Sequence, residues 1–254
     1  RYILDDPTLP QRATGTSVDP NVLGAFLIMT IALTVPQFFD RRRSLPRWIV
    51  MPALGVMGLA LLLTISRGAF AATAVAVLAL GVLRYPRLLL VLVVVLALIL
   101  IVPWTQSYVL HFIEGLQGQD LATQMRFGEY KDALILIQRY PILGVGFSGS
   151  PDIDTYIGVS NMYLLIAEEM GLVGLASFAA IIVALYAAAS QVYARVRQSA
   201  LEPIWWGLHA AILGALVGGV VDHYFFNLDF HASVVFFWLY VGLASAATLL
   251  VKRD

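Results

Sequence analysis

Apolar runs of roughly 15–24 residues, each closed by charged or proline-bearing segments, recur along this chain and decide what it can fold into. A helix of about 20 apolar residues crosses a hydrocarbon core about 30 Å thick. The runs lie at about 21–39, 48–65, 69–83, 88–103, 171–194, 204–221 and 232–251. Sixty per cent of the 254 residues are hydrophobic and 13% charged, against about 45–50% and about 25% in a soluble domain. The predicted fold is all-α. It is a single membrane domain, a polytopic transmembrane helical bundle of seven spans, with one long extracytoplasmic loop at about 104–160 that contains an amphipathic helix.

Charge distribution orients the bundle. One side collects Arg41, Arg42, Arg43, Arg47, Arg84, Arg87, Arg195, Arg197, Lys252 and Arg253, ten of the sixteen basic residues, with only Asp40, Glu202 and Asp254 as acids. The other side holds six basic residues and thirteen acids. Lys and Arg accumulate in cytoplasmic loops, so the first side is expected to be cytoplasmic and the second extracytoplasmic. The net charge of zero gives no pull toward nucleic acid, and the absence of Cys removes disulfides, thiolate nucleophiles and Cys-ligated metals. The chain opens on Arg1 with a polar, proline-bearing stretch, which leads us to expect the C-terminal part of a longer protein.

The residues able to do chemistry fall on the extracytoplasmic side. Arg67 lies between two spans in Ser66-Arg67-Gly68. It reads either as a guanidinium snorkelling to the surface or as an anion-binding residue, since its side is the one that disfavours basic residues. In the loop, Phe127, Tyr130, Leu134 and Ile137 recur at helical spacing over Arg126–Tyr140, and Pro141 stops that helix. Arg126 is either an anion ligand or the partner of Glu129 or Glu114. Two guanidiniums brought together suit a phosphate or diphosphate, whose oxygens match their planar forks. His223 reads as a general base or as a member of an interfacial aromatic belt with Tyr224, Phe225 and Phe226. Glu168-Glu169 sits in the short apolar stretch 161–170, a re-entrant or in-plane helix leading into the fifth span, and is either functional or wet at its outer end. No phosphate-binding glycine loop and no metal-ligand spacing occurs, so no cofactor and no metal is expected, and any donor must arrive from the membrane already activated.

Four patterns in order carry a family resemblance. They are Arg12-Ala-Thr-Gly-Thr-Ser-Val-Asp-Pro20-Asn21, then Ser66-Arg67-Gly68, then Arg126 with Glu129-Tyr130, Ala133-Leu134 and Pro141-Ile-Leu-Gly144-Val-Gly146, and finally Asn161-Met-Tyr163-Leu164 with Glu169-Met-Gly171-Leu-Val-Gly174. Together they resemble the O-antigen ligase and polymerase superfamily of bacterial envelope proteins. The resemblance implies about twelve spans in a whole member, of which this chain would be the C-terminal part. It implies an inner-membrane location with a periplasmic active face, and transfer of a glycan from an undecaprenyl-pyrophosphate carrier to lipid A–core, to another glycan or to a protein. It implies a metal-independent, inverting glycosyltransferase in which Arg67 and Arg126 hold the donor diphosphate. Arg12, Tyr130, Asn161, Asp152 and Asp154 are the expected substrate-binding residues. The pattern departs at Ser160, where family ligases usually carry a His that serves as base. His223, Asp152 or Asp154 would have to take that role. The competing readings are transport of a small anion such as bicarbonate, which some relatives are proposed to carry out, and a scaffold without chemistry.

Overall fold

The computed structural model describes residues 12–17, 19–102, 121–147 and 158–253. Among them the secondary structure is helical, with no strand. The helices are α1 (Pro20–Phe39), α2 (Arg47–Thr64), α3 (Arg67–Leu83), α4 (Arg87–Ile101), α5 (Leu121–Arg139), α6 (Met162–Val196), α7 (Glu202–Gly218) and, after a 3-10 turn at Leu228–Phe230, α8 (His231–Arg253). Four segments, α1, α2, α6 and Leu228–Arg253, are long and apolar enough to cross a membrane, and α3 and α4 are shorter apolar helices. Much of the predicted loop at 104–160, with Asp152 and Asp154, lies outside the described residues.

Local chemistry sets the helix ends. Asp19 accepts from the Asn21 backbone N–H with Pro20 as first helical residue, so α1 begins with its cap and its fixed φ in place. Ser66 caps α3 through Ala69 N, and Asn161 caps α6 through the N–H groups of Tyr163 and Leu164. At the arginine-rich end, Arg47 donates to Phe38 O, Arg195 to Lys252 O and Arg42 to Arg197 O and Ser199 O, so cations close the carbonyl ends of neighbouring helices.

α1 and α7 form the centre, with α2 and α3 packed on α1 and α3 also on α7. Small residues let these backbones approach. A Cβ on Gly207 would lie 2.7 Å from Leu33 O, one on Gly214 would lie 3.1 Å from Ala76 Cβ, and Ala72, Ala76, Ala211 and Ala215 are fully buried. Lipid tails are as apolar as leucine, so such close packing holds membrane helices together in place of a hydrophobic drive. The outward faces remain apolar. In α4 only Leu88 is buried, while Leu90, Val93 and Ile101 stand exposed, a surface suited to lipid.

α6 is broken at Gly171, whose φ of 66° and ψ of −172° leave the helical region. The turn that follows α5 fills the break. Val145 N donates to Glu168 O at 2.8 Å and Gly146 N to Glu169 O at 2.9 Å, while Leu172 N donates to Pro141 O at 2.8 Å and Val173 N to Ile142 O at 3.4 Å. The orphaned carbonyls of the first half and the orphaned N–H groups of the second half are thus satisfied by one inserted segment, as a low-dielectric setting requires. Gly144 (φ +69°) faces the Glu168–Glu169 backbone and Gly171 the Ile142–Leu143 backbone, so closely that a Cβ on Gly144 would lie 2.4 Å and one on Gly171 2.2 Å from a main-chain atom. Beside the break, Glu168 is fully buried, and among the described residues neither of its carboxyl oxygens has a hydrogen-bond partner. Burial excludes the reading of a wet helix end.

The predicted apolar face of α5 needs correction. Tyr130 and Ala133 pack with Val159, Leu164 and Leu165, and Leu136 is buried, whereas Phe127 and Leu134 are 60% and 49% exposed. With Ile142 and Leu143 of the inserted turn they form an outward apolar strip. Packing against α6 took one face of α5, and apolar spacing alone did not tell that face from the other.

Candidate functional site

Three segments far apart in sequence meet at the end of the bundle opposite the arginine-rich end. The first is the α2–α3 junction. Ile65 takes a left-handed conformation (φ 50°), rare for a β-branched residue and costing about 1–3 kcal/mol. The strain is held by surrounding contacts: Arg12 Nε donates to Thr64 O at 2.7 Å, Ala13 N to Leu63 O at 2.8 Å, and Ser66 N to Thr64 Oγ1 at 3.2 Å. Gly68 lets the start of α3 close on Val221, since a Cβ there would sit 2.7 Å from Val221 Cγ2. Each member of Ser66-Arg67-Gly68 therefore has a job. Serine caps the helix, glycine admits the neighbouring turn, and half-buried Arg67 stands between them at the first helical position.

The second segment is α5 with the turn before α6. Glu129 Oε2 accepts the Ser160 N–H at 2.9 Å, and Tyr130 OH donates to Ser160 O at 3.3 Å. These two side chains grip both backbone groups of Ser160. Glu129 is thus engaged with the backbone, and Arg126, one turn earlier on α5, acts electrostatically on Asp222 and Tyr130. The third segment is the turn after α7. Asn161 Nδ2 donates to Val220 O at 2.7 Å, and Met162 N donates to Gly219 O and Asp222 O at 2.7 and 3.0 Å. His223 Nδ1 donates to Val159 O at 2.9 Å, which leaves Nε2 as the lone-pair nitrogen of a neutral ring packed against Tyr224 and Phe230.

Electrostatics tie the segments into one site around Asp222. Burial first, then the charges of Asp19 and Glu129, raise Asp222 to about 7, against the pull of the His223 N–H and Arg126. Burial lowers His223, partly offset by the Val159 carbonyl and by Glu129, Asp19 and Asp229, and so favours its neutral form. Arg12 is lowered by burial and by the like charge of Arg67, with Asp19 and Asp222 acting in the other direction. Beneath Asp222, a pocket of about 20 Å³ is bordered by Asn21, Ser66, Gly68, Asp222 and Tyr224, room for about one water molecule.

Of the residues picked from sequence, Arg12, Arg67, Arg126, Tyr130, Asn161 and His223 all fall in this neighbourhood, and Asp152 and Asp154 lie outside the described residues. Arg12 also spends two donors on the fold, one on Thr64 O and one on Asn21 Oδ1 at 2.7 Å, while Asn161 is a helix cap and interhelical clamp. Asp222 and Glu129 were not picked as site residues. The available signal was an acid at the end of an apolar span for Asp222, and its position one turn beyond Arg126 for Glu129.

These geometries coincide with a family match. Residues 52–179, half of the chain, match the family described as O-antigen ligase, a stretch holding Arg67, Arg126, the inserted turn and the Gly171 break. No curated protein matches the chain. Apolar helices and family together make it a multi-pass membrane protein. The chain belongs to the O-antigen ligase family, whose general activity is glycan transfer of the ligase or polymerase kind.

Proposed function

We propose that this protein transfers a glycan from an undecaprenyl-pyrophosphate carrier to a lipid, glycan or protein acceptor at the periplasmic face of the bacterial inner membrane. The observation that carries the reading is that Arg12 and Arg126, from separate segments, both act on one acid, Asp222, with Arg67 acting on Arg12, at the end of the bundle away from the arginine-rich loops. By the positive-inside rule that end is extracytoplasmic. We read α3, α4 and α7 as completing a seven-span bundle with the four longer segments.

In this reading Arg67 and Arg126 bind the donor diphosphate, with Arg12 adding charge from the side. The acceptor hydroxyl oxygen attacks the anomeric carbon and forms the new glycosidic bond. The bond from that carbon to the diphosphate oxygen breaks, and its electron pair leaves with the carrier diphosphate. The guanidiniums stabilise the charge that builds there, the place where preorganised donors act most strongly. The acceptor proton passes to His223 Nε2. His223 suits this role because its other nitrogen is fixed on Val159 O, directly beside Ser160. Attack opposite the leaving diphosphate inverts the anomeric centre.

The test is transfer from a lipid-diphosphate-linked glycan by purified protein. Arg67→Lys and Arg126→Lys should each abolish transfer while still inserting in the membrane. Retention of transfer by both would end the reading. His223→Gln should lower kcat by about 10²–10⁴ with KM for the donor little changed. An unaltered kcat would remove His223 from the mechanism.

A further inference from the structure

At the end of α3 far from Arg67, roughly 25 Å away along the helix, a groove of about 200 Å³ opens between α3, the second half of α6 and the first turns of α7. Its walls include Leu83, Tyr186, Tyr193, Trp205, Trp206 and His209. The polar groups of these walls turn largely inward. Tyr186 OH donates to His209 O at 2.9 Å, His209 Nδ1 to Trp205 O at 2.8 Å, and Trp205 Nε1 to Thr248 Oγ1 at 2.9 Å. What faces the groove is almost wholly apolar, the surface a hydrocarbon chain needs.

The mouth of the groove carries unbalanced positive charge. Buried Glu202 pairs with Arg84 at 2.5 Å and with Arg42 at 3.4 Å. Arg197 lies 5.5 Å above the Tyr193 ring, its Nη2 3.5 Å from the Tyr193 hydroxyl, and Arg42 also bonds the Arg197 carbonyl. Arg84 and Arg42 thus flank Glu202, Asp40 also acts on Arg84, and the exposed Arg197 stands over Tyr193 at the groove's edge, so three guanidiniums meet two carboxylates. A headgroup with net negative charge fits this mouth, and a trimethylammonium group is repelled from it.

We propose that this groove binds an anionic phospholipid of the leaflet on the Arg84 side, with one acyl chain along Tyr186, Tyr193 and Trp206 and its phosphate on Arg197. The site is separate from the donor site and does not depend on the reading given for it. The occupant is a membrane lipid that would fix the packing of α7 against α3 and α6.

The experiment reconstitutes the purified chain in nanodiscs and reads quenching of tryptophan fluorescence by chain-brominated phosphatidylglycerol or phosphatidylcholine at equal mole fraction. Phosphatidylglycerol should quench at several-fold lower mole fraction. Arg197→Gln, which leaves the Glu202 pairs in place, should weaken that preference by about five-fold. Ser190→Phe, which fills the groove from its α6 wall, should reduce quenching by both lipids. Equal quenching by the two lipids, or an unchanged preference in Arg197→Gln, would overturn the proposal. So would displacement of phosphatidylglycerol by a polyprenyl phosphate at lower mole fraction, which would assign the groove to a carrier lipid.

Discussion

Replacing Gly171 by alanine tests whether the inserted turn holds the broken helix together. Alanine at a φ of 66° carries a left-handed penalty of about 1–2 kcal/mol. Its Cβ would stand 2.2 Å from Ile142 O and 2.6 Å from Leu143 N, main-chain atoms that cannot rotate away. The turn must withdraw, and the four hydrogen bonds joining it to α6 go with it. At about 1 kcal/mol net each, and more for groups left buried without water, the total cost is about 5–6 kcal/mol. For a chain of this size each kcal/mol lowers the melting temperature by about 2–4 °C, so the detergent-solubilised variant should melt at least about 10 °C below the wild type. Gly146 provides the control. Its φ is +81°, but a Cβ there meets nothing within 4 Å, so Gly146→Ala should cost only the backbone penalty of about 1–2 kcal/mol. Because a single residue separates Pro141 from the end of α5, Gly171→Ala should also lose glycan transfer by displacing Arg126. A Gly171→Ala protein melting within about 2 °C of wild type, or a Gly146→Ala protein equally damaged, would refute the account of the break.

Four other outcomes are expected. Arg126→Ala should lower kcat/KM for transfer by about 10²–10³, the usual cost of one preorganised donor to a leaving anion, as measured with a lipid-diphosphate-linked glycan. Glu129→Ala and Tyr130→Phe together release Ser160 from α5. Transfer should fall about ten-fold with Arg126 still present, and limited proteolysis should cut more readily near residue 160. Asp222, at about 7 when folded, binds its proton more tightly than the unfolded chain does at 3.8. Its contribution to stability is therefore complete below about pH 4 and is lost as pH rises through about 7, and Asp222→Asn should flatten that slope in melting curves. His223→Gln combined with Ser160→His should regain part of the transfer lost in His223→Gln alone, since the His223 ring bonds the carbonyl next to Ser160. Failure of the double variant to exceed the single one would count against a base at that place.

The fold class was readable because it depends on length and composition. Runs long enough to span a bilayer, capped by Asp19-Pro20, Ser66 and Asn161, announce helices wherever they fold. The charge asymmetry likewise separated the ends, and Arg67 and Arg126 could be assigned to the same side without coordinates. Helical periodicity read less well in a membrane protein than in a soluble one. Lipid-facing and protein-facing sides are both apolar, so the face of α5 that packs inward, with Ala133 and Leu136, could not be told from the one carrying Phe127 and Leu134.

Sequence by itself determined that this chain is a helical membrane protein with most of its basic residues at one end and Arg67 and Arg126 on the opposite side, since span length, caps and charge placement act locally or by simple counting. Only the tertiary structure decided that Asp222 lies within reach of Arg12 and Arg126, that His223 is anchored beside Ser160, and that the Pro141–Gly146 turn closes the break at Gly171. Those pairings join residues from separate segments of the chain, and they depend on how α5, α6 and α7 pack, which no local pattern encodes.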